Sequence, residues 1–508
     1  MTILICLLAA AAVPVAEARW LRVAQREHYL PGSVSLFAWR WWTLQWRSAV
    51  MALLALACIV ASFWWPLTSV LTIEIAALGP IGLSMRGRTS QLAWTRRLRT
   101  LAIAHALLIV IISAVGIVAG IAAPVLAAGA FALPLTLDVC LAALKPLEKR
   151  AARTFVDQAV SRLDRVNPTR VAITGSYGKT TIKGYVRHIV EGTRSVVASP
   201  ASFNNTAGLS RTVNEHLSPD TEVFVAEMGT YGPGEIRDLC SWVKPDVSAL
   251  CAIGPVHLER MGSLDNIVAA KSEIFDTAGV AVLNIDAHGL AAVAERLRHA
   301  GDKRVITTST NPDSDADVRV FPAQHSDGVR VCVGDDCDTV DLPADAIHSN
   351  VAVAVAIGCA LDIPVDKVRL RLGTLPGAGH RRERSVSPTG VNIIDDTYNS
   401  NPAGAAAALD ALGATPAARR VVVTPGMVEM GAQQAKANEE FAERAAAVAD
   451  VVLIVGQTNR KALLAGASRG AAEVIQTRTR TEAVEWVRRN LDAGDAVLYE
   501  NDLPDHYP

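Results

Sequence analysis

The chain has 508 residues, long enough for two to four domains. Its 49 basic and 50 acidic residues balance, which argues against the broad cationic surface of a nucleic-acid binder. Half of the residues are hydrophobic, more than an ordinary soluble protein carries, and most of the excess lies before residue 147.

Apolar runs occupy residues 2–18, 48–65, 67–85, 101–121 and 123–144. A span needs roughly 20 apolar residues, so these predict a bundle of about five transmembrane helices over 1–147. The first run is followed, not preceded, by basic residues (Arg19, Arg22, Arg26), which marks an anchor with its N-terminus outside. Arg40 and Arg47, the arginines of 86–100, and Lys145, Lys149 and Arg150 place the intervening segments and everything after 145 on the cytoplasmic side. The expected location is a plasma membrane, multi-pass, with cytoplasmic catalytic domains. Trp39, Trp41, Trp42 and Trp46 suit an interfacial belt. Glu74 and Asp138 fall at membrane depth, where carboxylates are costly; we read Glu74 as solvated in a helix pair and Asp138 as near an interface. The eight cysteines have no regular spacing. Cys332 and Cys337 lack a second pair, so no zinc site is expected, and scattered thiols fit a reducing compartment.

Residues 148–169 read as a linker helix closed by Asn167-Pro168. From 170 to 380 short β-rich runs alternate with helical ones, with strands near 171–174, 195–198, 222–226, 247–253, 280–284 and 304–308. Residues 315–342 predict irregular strands, and 350–361 an Ala/Val-rich helix. A second α/β unit occupies 381–508, its strands near 391–394, 420–424, 451–455 and 496–499, with a Gly/Arg-rich hinge around 373–384. The fold class is therefore multi-domain: transmembrane α-helices, an α/β P-loop-type ATPase domain, then a Rossmann-like α/β domain.

The chemistry starts at Gly175-Ser176-Tyr177-Gly178-Lys179-Thr180-Thr181, a glycine turn between a buried strand and a helix. Backbone N–H groups and the helix N-terminus make an anion site there; Lys179 adds a cation and Thr180 a hydroxyl suited to Mg²⁺. The obvious ligand is a nucleotide triphosphate. Only two residues separate the glycines, where the usual phosphate loop has four. Downstream, Glu227-Met228-Gly229 ends an apolar strand and is followed by Gly234-Glu235-Ile236, a carboxylate well placed for Mg²⁺. His257-Leu258-Glu259, Ala270-Lys271-Ser272-Glu273 and the polar run Asp395 to Pro402 complete the candidates.

Taken in order, these motifs resemble the Mur ligases, the ATP-dependent amide ligases of peptidoglycan synthesis, and within them the MurF branch that adds D-alanyl-D-alanine. The short loop GSYGKTT is similar to that family's own. Phe203 to Leu209 resembles its asparagine motif, Asp395 to Pro402 its DDSYNANP, and Gly426 to Gly431 its GDMLELG. The resemblance implies roles. Gly175, Ser176, Gly178, Lys179, Thr180 and Thr181 would cradle the ATP phosphates. Thr180 and Glu227 would hold one Mg²⁺, and His257 a second with Lys271, which falls where the family carries a carbamylated lysine. Asn284 and Asp286 would lie near the base. Asn350 matches an asparagine of the family's HNxxN helix, whose histidine would fall at Ala346, so His348 is not its equivalent. Arg381 would reach phosphate from the hinge, and Asp396 the nucleotide. Asn204, Asn205, Tyr398, Asn399 and Asn401 would contact substrate. The implied catalytic set is Lys179, His257, Lys271 and Arg381, working through an acyl phosphate.

Two features depart from the family. A membrane bundle stands where the N-terminal substrate domain would be, and Tyr499 to Pro504 replaces the K-G-S-R-like ending. The expected partners are a small-molecule or lipid-linked cell-envelope precursor, an amino acid or dipeptide, and other envelope-synthesis proteins. Two further readings are a poly-γ-glutamate-synthetase-like ligase and a membrane-anchored ATPase or transport module.

Overall fold

The computed structural model describes residues 2–85, 92–200, 203–324, 328–343, 346–377, 383–397, 400–504 and 506–508. Seven helices come first: α1 (Thr2–Arg26), α2 (Ser33–Leu44), α3 (Trp46–Ala61), α4 (Thr68–Leu78), α5 (Arg96–Val118), α6 (Ala122–Phe131) and α7 (Leu133–Val166). Among the described residues, fewer than the five expected helices are long and apolar enough to span. By length and composition α1 and α5 could each cross a membrane. The pairs α2–α3 and α6–α7, bent by 111° and 73°, raise the number to four at most. The third apolar run fails because Gly79-Pro80 stops α4 after 11 residues. Such a helix is about 16 Å long, half the roughly 30 Å hydrocarbon core. Arg19 Nη1 donates to the Gly79 carbonyl at 2.8 Å and so satisfies the cut end from α1.

The separate linker helix is also absent, because α7 runs unbroken through it for 34 residues. Its last turns bury Ala159 and Leu163 in the core of the following domain, tying bundle and domain together. Asp138, on the first half of α7, accepts from Ser35 N at 2.8 Å and Ser35 Oγ at 2.6 Å, capping the start of α2. Glu74 lies on the exposed face of α4.

Nine strands follow: β1 (Thr169–Thr174), β2 (Val196–Ala198), β3 (Val223–Glu227), β4 (Val247–Leu250), β5 (Val280–Asn284), β6 (Arg304–Ser309), β7 (Val318–Pro322), β8 (Val329–Val333) and β9 (Asp336–Val340). They form one sheet in the order β2-β3-β1-β4-β5-β6-β7-β8-β9, parallel through β7. The helices used below are α8 (Lys179–Glu191), α9 (Thr206–His216), α10 (Glu235–Val243), α11 (Leu258–Met261) and α12 (Leu264–Ser272). The chain leaves β1 to one side for β2 and β3, then crosses to the other for β4. The loops after β1 and β3 therefore diverge and open a crevice at the strands' C-terminal ends. One apolar layer covers each face, around Ile182 and Val186 on one side and Phe224 and Leu209 on the other. Cys332 and Cys337 face each other across the β8–β9 hairpin and are disulfide-bonded, correcting their reading as unpaired thiols.

The second sheet has the order β10-β11-β15-β12-β13-β14, from β10 (Glu383–Val386), β11 (Asn392–Asp396), β12 (Arg420–Thr424), β13 (Val451–Val455), β14 (Glu473–Thr477) and β15 (Ala496–Glu500). All pairings are parallel except the antiparallel edge β10–β11.

Candidate active site

The loop after β1 can close tightly only with glycine. Gly178 has φ 78°, and a Cβ there would sit 2.5 Å from Asn350 Oδ1. A Cβ on Gly175 would sit 2.3 Å from Cys251 Sγ. The result is a backbone cradle at the N-terminus of a 13-residue helix, α8, which fits an oligophosphate. Ser176 Oγ ties the loop to Gly254, accepting from its N–H at 3.0 Å. Lys179, the first residue of α8, donates to the Gly175 carbonyl at 2.7 Å, and Thr181 is buried.

Glu227 ends β3 beside this cradle. Its Oε2 accepts from Thr180 Oγ1 at 2.9 Å and from Lys183 Nζ at 2.9 Å, and its Oε1 from Asn204 Nδ2 at 3.3 Å. A hydroxyl and a carboxylate side by side are hard oxygen donors of the kind Mg²⁺ takes, with phosphate and water completing the shell. Among the described residues no group of three or more His, Cys, Asp or Glu could hold a metal alone.

Lys271, at the end of α12, is buried and donates to the same Gly175 carbonyl at 3.2 Å. Desolvation first, and the Lys179 charge second, lower its pKa to about 7. Above that pH the side chain is a neutral amine, the form that can add CO₂. His257 has φ 62°, strained for a residue with a Cβ. Its Nδ1 lies 2.5 Å from Oε2 of Glu429, in the C-terminal domain. Burial keeps the imidazole neutral, so Nδ1–H donates to Glu429 and Nε2 carries a lone pair. Burial would raise Glu429, but the His257 hydrogen bond, with Arg260, holds it at about 2. Glu429 is also in a left-handed conformation, φ 65°.

The remaining expected residues divide. Asn284 Nδ2 donates to the Cys251 carbonyl at 3.0 Å, bracing β4 behind the cradle. Asp286 accepts from Ser309 Oγ at the end of β6 and from Thr310 N just beyond it. Asn205 and Asn401 spend their carboxamide oxygens as helix N-caps, accepting from Gly208 N and Gly404 N at 3.0 Å each. Asp396 is buried at the end of β11. Arg381, Tyr398 and Asn399 lie outside the described residues. Three participants were missed. Lys183 is one turn beyond Lys179 on α8, so its facing the same way was readable from the spacing. Glu429 stood inside a quoted motif without a role. Tyr231, whose ring meets His257 edge-on at 5.0 Å, left no sequence signal.

Next to Asp396, Glu500 is fully buried and accepts from Thr424 Oγ1 at 2.6 Å and from Ser400 Oγ. Burial raises its carboxyl pKa to about 7, above the ordinary 4.5. The folded state thus binds an extra proton between those values. That stability is full below about 4.5 and is lost as pH rises through about 7. In thermal melts the native chain's Tm should decline between pH 5 and 8, and Glu500→Gln should flatten that decline.

Residues 173–358 match the family model for the Mur ligase middle domain, and residues 380–499 that for the Mur ligase glutamate ligase domain. The chain is 28% identical over 393 residues to the UDP-N-acetylmuramoyl-tripeptide–D-alanyl-D-alanine ligase of Mycobacterium leprae (strain TN), covering 70% of this chain and 74% of that one. It is 31% identical over 362 residues to the enzyme of the same name from Mycobacterium tuberculosis (strain ATCC 25618 / H37Rv), covering 65% and 69%. Its fold is similar to that of the MurF ligase from Thermotoga maritima solved with ADP, with a TM-score of 0.58 at 24% identity over 69% of this chain and 80% of that one.

Proposed function

The chain belongs to the Mur ligase family, and from that premise we propose that it joins a dipeptide or amino acid to a carboxylate of a cell-envelope precursor at a membrane. It is a MurF-like, ATP-dependent, ADP-forming ligase. The observation that carries the chemistry is the convergence of Lys179, Lys271 and Glu227 on one loop, with the His257–Glu429 pair joining the two domains beside it.

The reaction has two steps. The acceptor carboxylate attacks the γ-phosphorus of ATP, ADP leaves, and an acyl phosphate remains. The amine then attacks the acyl carbon, phosphate leaves, and the amine loses its proton. Negative charge on phosphoryl oxygens grows in both steps. The α8 N-terminus and Lys179 meet it with preorganised positive charge. Thr180 and Glu227 would hold Mg²⁺, and His257 Nε2 with a carbamylated Lys271 a second ion, which would neutralise phosphate charge when bound. Glu429 keeps the His257 ring in the tautomer a ligand needs. If Lys271 is carbamylated, ¹³C-bicarbonate should give a carbamate resonance in the native protein that Lys271→Ala lacks, stronger at pH 8 than at pH 6.

The membrane reading draws on where apolar surface is left bare. Large exposed hydrophobics run from Ile3 to Phe155, and beyond that only Ile347, Leu370 and Val386 join them among the described residues. On α5, Ile103, Leu107, Val110, Ile111, Val115 and Val118 are all exposed, a face that suits lipid and not water. With a bundle in the place of a soluble sugar-nucleotide domain, a lipid-linked acceptor is the substrate class we favour. The test is ADP release by the full chain in vesicles. ADP should appear only when both an acceptor carboxylate and an amine are present, and with a lipid-linked acceptor in preference to a UDP-linked one. Steady ADP release with neither substrate would support an ATPase or transport module instead.

A further inference from the structure

The turn between α1 and α2 does not face lipid or solvent alone; it is packed into the catalytic cleft. Glu27, at that turn, is buried, and each of its oxygens is held by a different part of the chain. Oε2 accepts from Arg260 Nη2 of the central domain at 2.7 Å, and Oε1 lies 2.8 Å from Nε2 of His506, beyond the last strand of the C-terminal domain. The same Arg260 guanidinium lies 3.7 Å from Oε1 of Glu429, the carboxylate that orients His257. Next to Glu27, His28 stacks on Tyr231 at 5.1 Å, and Tyr231 meets His257 at 5.0 Å. Arg260 covers the other contact of that ring, 5.2 Å from its centroid. Arg40 of α2 pairs with Glu259 of α11, two residues from His257. The final residues close the circuit: Trp41 Nε1 donates to the His506 carbonyl at 2.8 Å, and Phe37 packs on both His506 and Tyr507.

We infer that the bundle is a working wall of the ligase: Glu27 and His28 are positioning residues that set Arg260, Tyr231 and, through them, the His257–Glu429 pair. The bundle, the central domain and the C-terminal tail meet at one cluster of charges and rings. Among the described residues of this cluster, Glu27 is the one bonded to both the central domain and the C-terminal tail. Its two oxygens fix the distance between them as a bidentate clamp does. His28 and Tyr29 both have left-handed backbone (φ 55° and 59°), a strained turn kept where it touches the cleft. The inference rests on the ligase reading for its consequence in turnover. The physical coupling stands apart from it.

The experiment uses the full chain in detergent or nanodiscs. Glu27→Gln should lower kcat about tenfold or more while KM for ATP stays within about twofold, because the phosphate cradle is untouched. Arg40→Glu and Glu259→Arg should each lower kcat, and the two together should recover most of it, as a direct contact requires. Independently of turnover, amide hydrogen exchange over 228–231, 257–261 and 427–430 should speed up at least tenfold in Glu27→Gln. Native kcat and native exchange in Glu27→Gln would overturn the inference, as would a charge swap no better than its parts. A native chain that makes no amide but shows the exchange coupling would overturn the ligase reading and leave the coupling in place.

Discussion

Lys179→Ala is expected to reduce amide formation and substrate-dependent ADP release about 10³-fold or more, with little change in Tm. A single preorganised donor aimed at developing charge is worth about 10²–10³ in kcat, and Lys179 carries a full charge at the helix end where the phosphates are cradled. Its cost to the fold is small. The side chain is half-buried, and it donates to a loop carbonyl, Gly175, that Lys271 still satisfies once the Lys179 ammonium is gone. Lys179→Arg keeps the charge but not the compact reach, so it should recover only part of the rate. A second effect follows from the same geometry. The Lys179 charge helps to lower Lys271, so its removal should raise the Lys271 pKa above about 7, while burial, the larger cause, keeps it below the ordinary 10.5. Coupled ADP assays measure the first effect and NMR titration of the lysine side chain the second. A variant within tenfold of native kcat/KM would remove Lys179 from the chemistry.

The cradle was legible because it is local. A buried strand, two glycines three residues apart and a lysine at a helix start are contiguous, and the physics that assembles them acts over ten residues. The strand alternation was legible for the same reason, since β1, β3, β5 and β12 are continuous apolar runs of a parallel sheet. β14 was not, because Glu473-Val474-Ile475-Gln476-Thr477 is a half-exposed edge with a polar residue at each end. The bundle misled in its number of spans because hydropathy weighs composition, whereas Gly79-Pro80 and the breaks near Gln45 and Ala132 decide helix length. The cleft was legible only on one side. Glu227, Lys271 and Glu429 sit in motifs, but residues 27, 28 and 231, which back the His257–Glu429 pair directly or through Arg260, do not, and no periodicity links positions so far apart.

Glu227→Gln should cost both rate and stability, and a second substitution should separate the two. Its carboxylate sits at the end of β3 with 2% exposure, accepting from Thr180, Lys183 and Asn204. Glutamine presents an amide N–H₂ to at least one of these donors and removes the charge that holds a lysine whose side chain is 7% exposed. Removing one partner of a buried pair costs about 3–5 kcal/mol, whereas replacing the pair with apolar groups of similar volume is often neutral. Lys183→Met in the Glu227→Gln background should therefore return most of the lost stability, to within about 1 kcal/mol if the pair is the main term. It should not return activity. If Glu227 and Thr180 hold Mg²⁺ against the phosphates, the double variant stays about 10²–10³-fold slow, and its apparent Mg²⁺ requirement moves to higher concentration. Recovery of both stability and rate would make Glu227 a structural counter-ion to Lys183 and nothing more. Recovery of neither would place the stability loss in the Thr180 and Asn204 bonds. Thermal melts and Mg²⁺ titrations of the three variants decide among these outcomes.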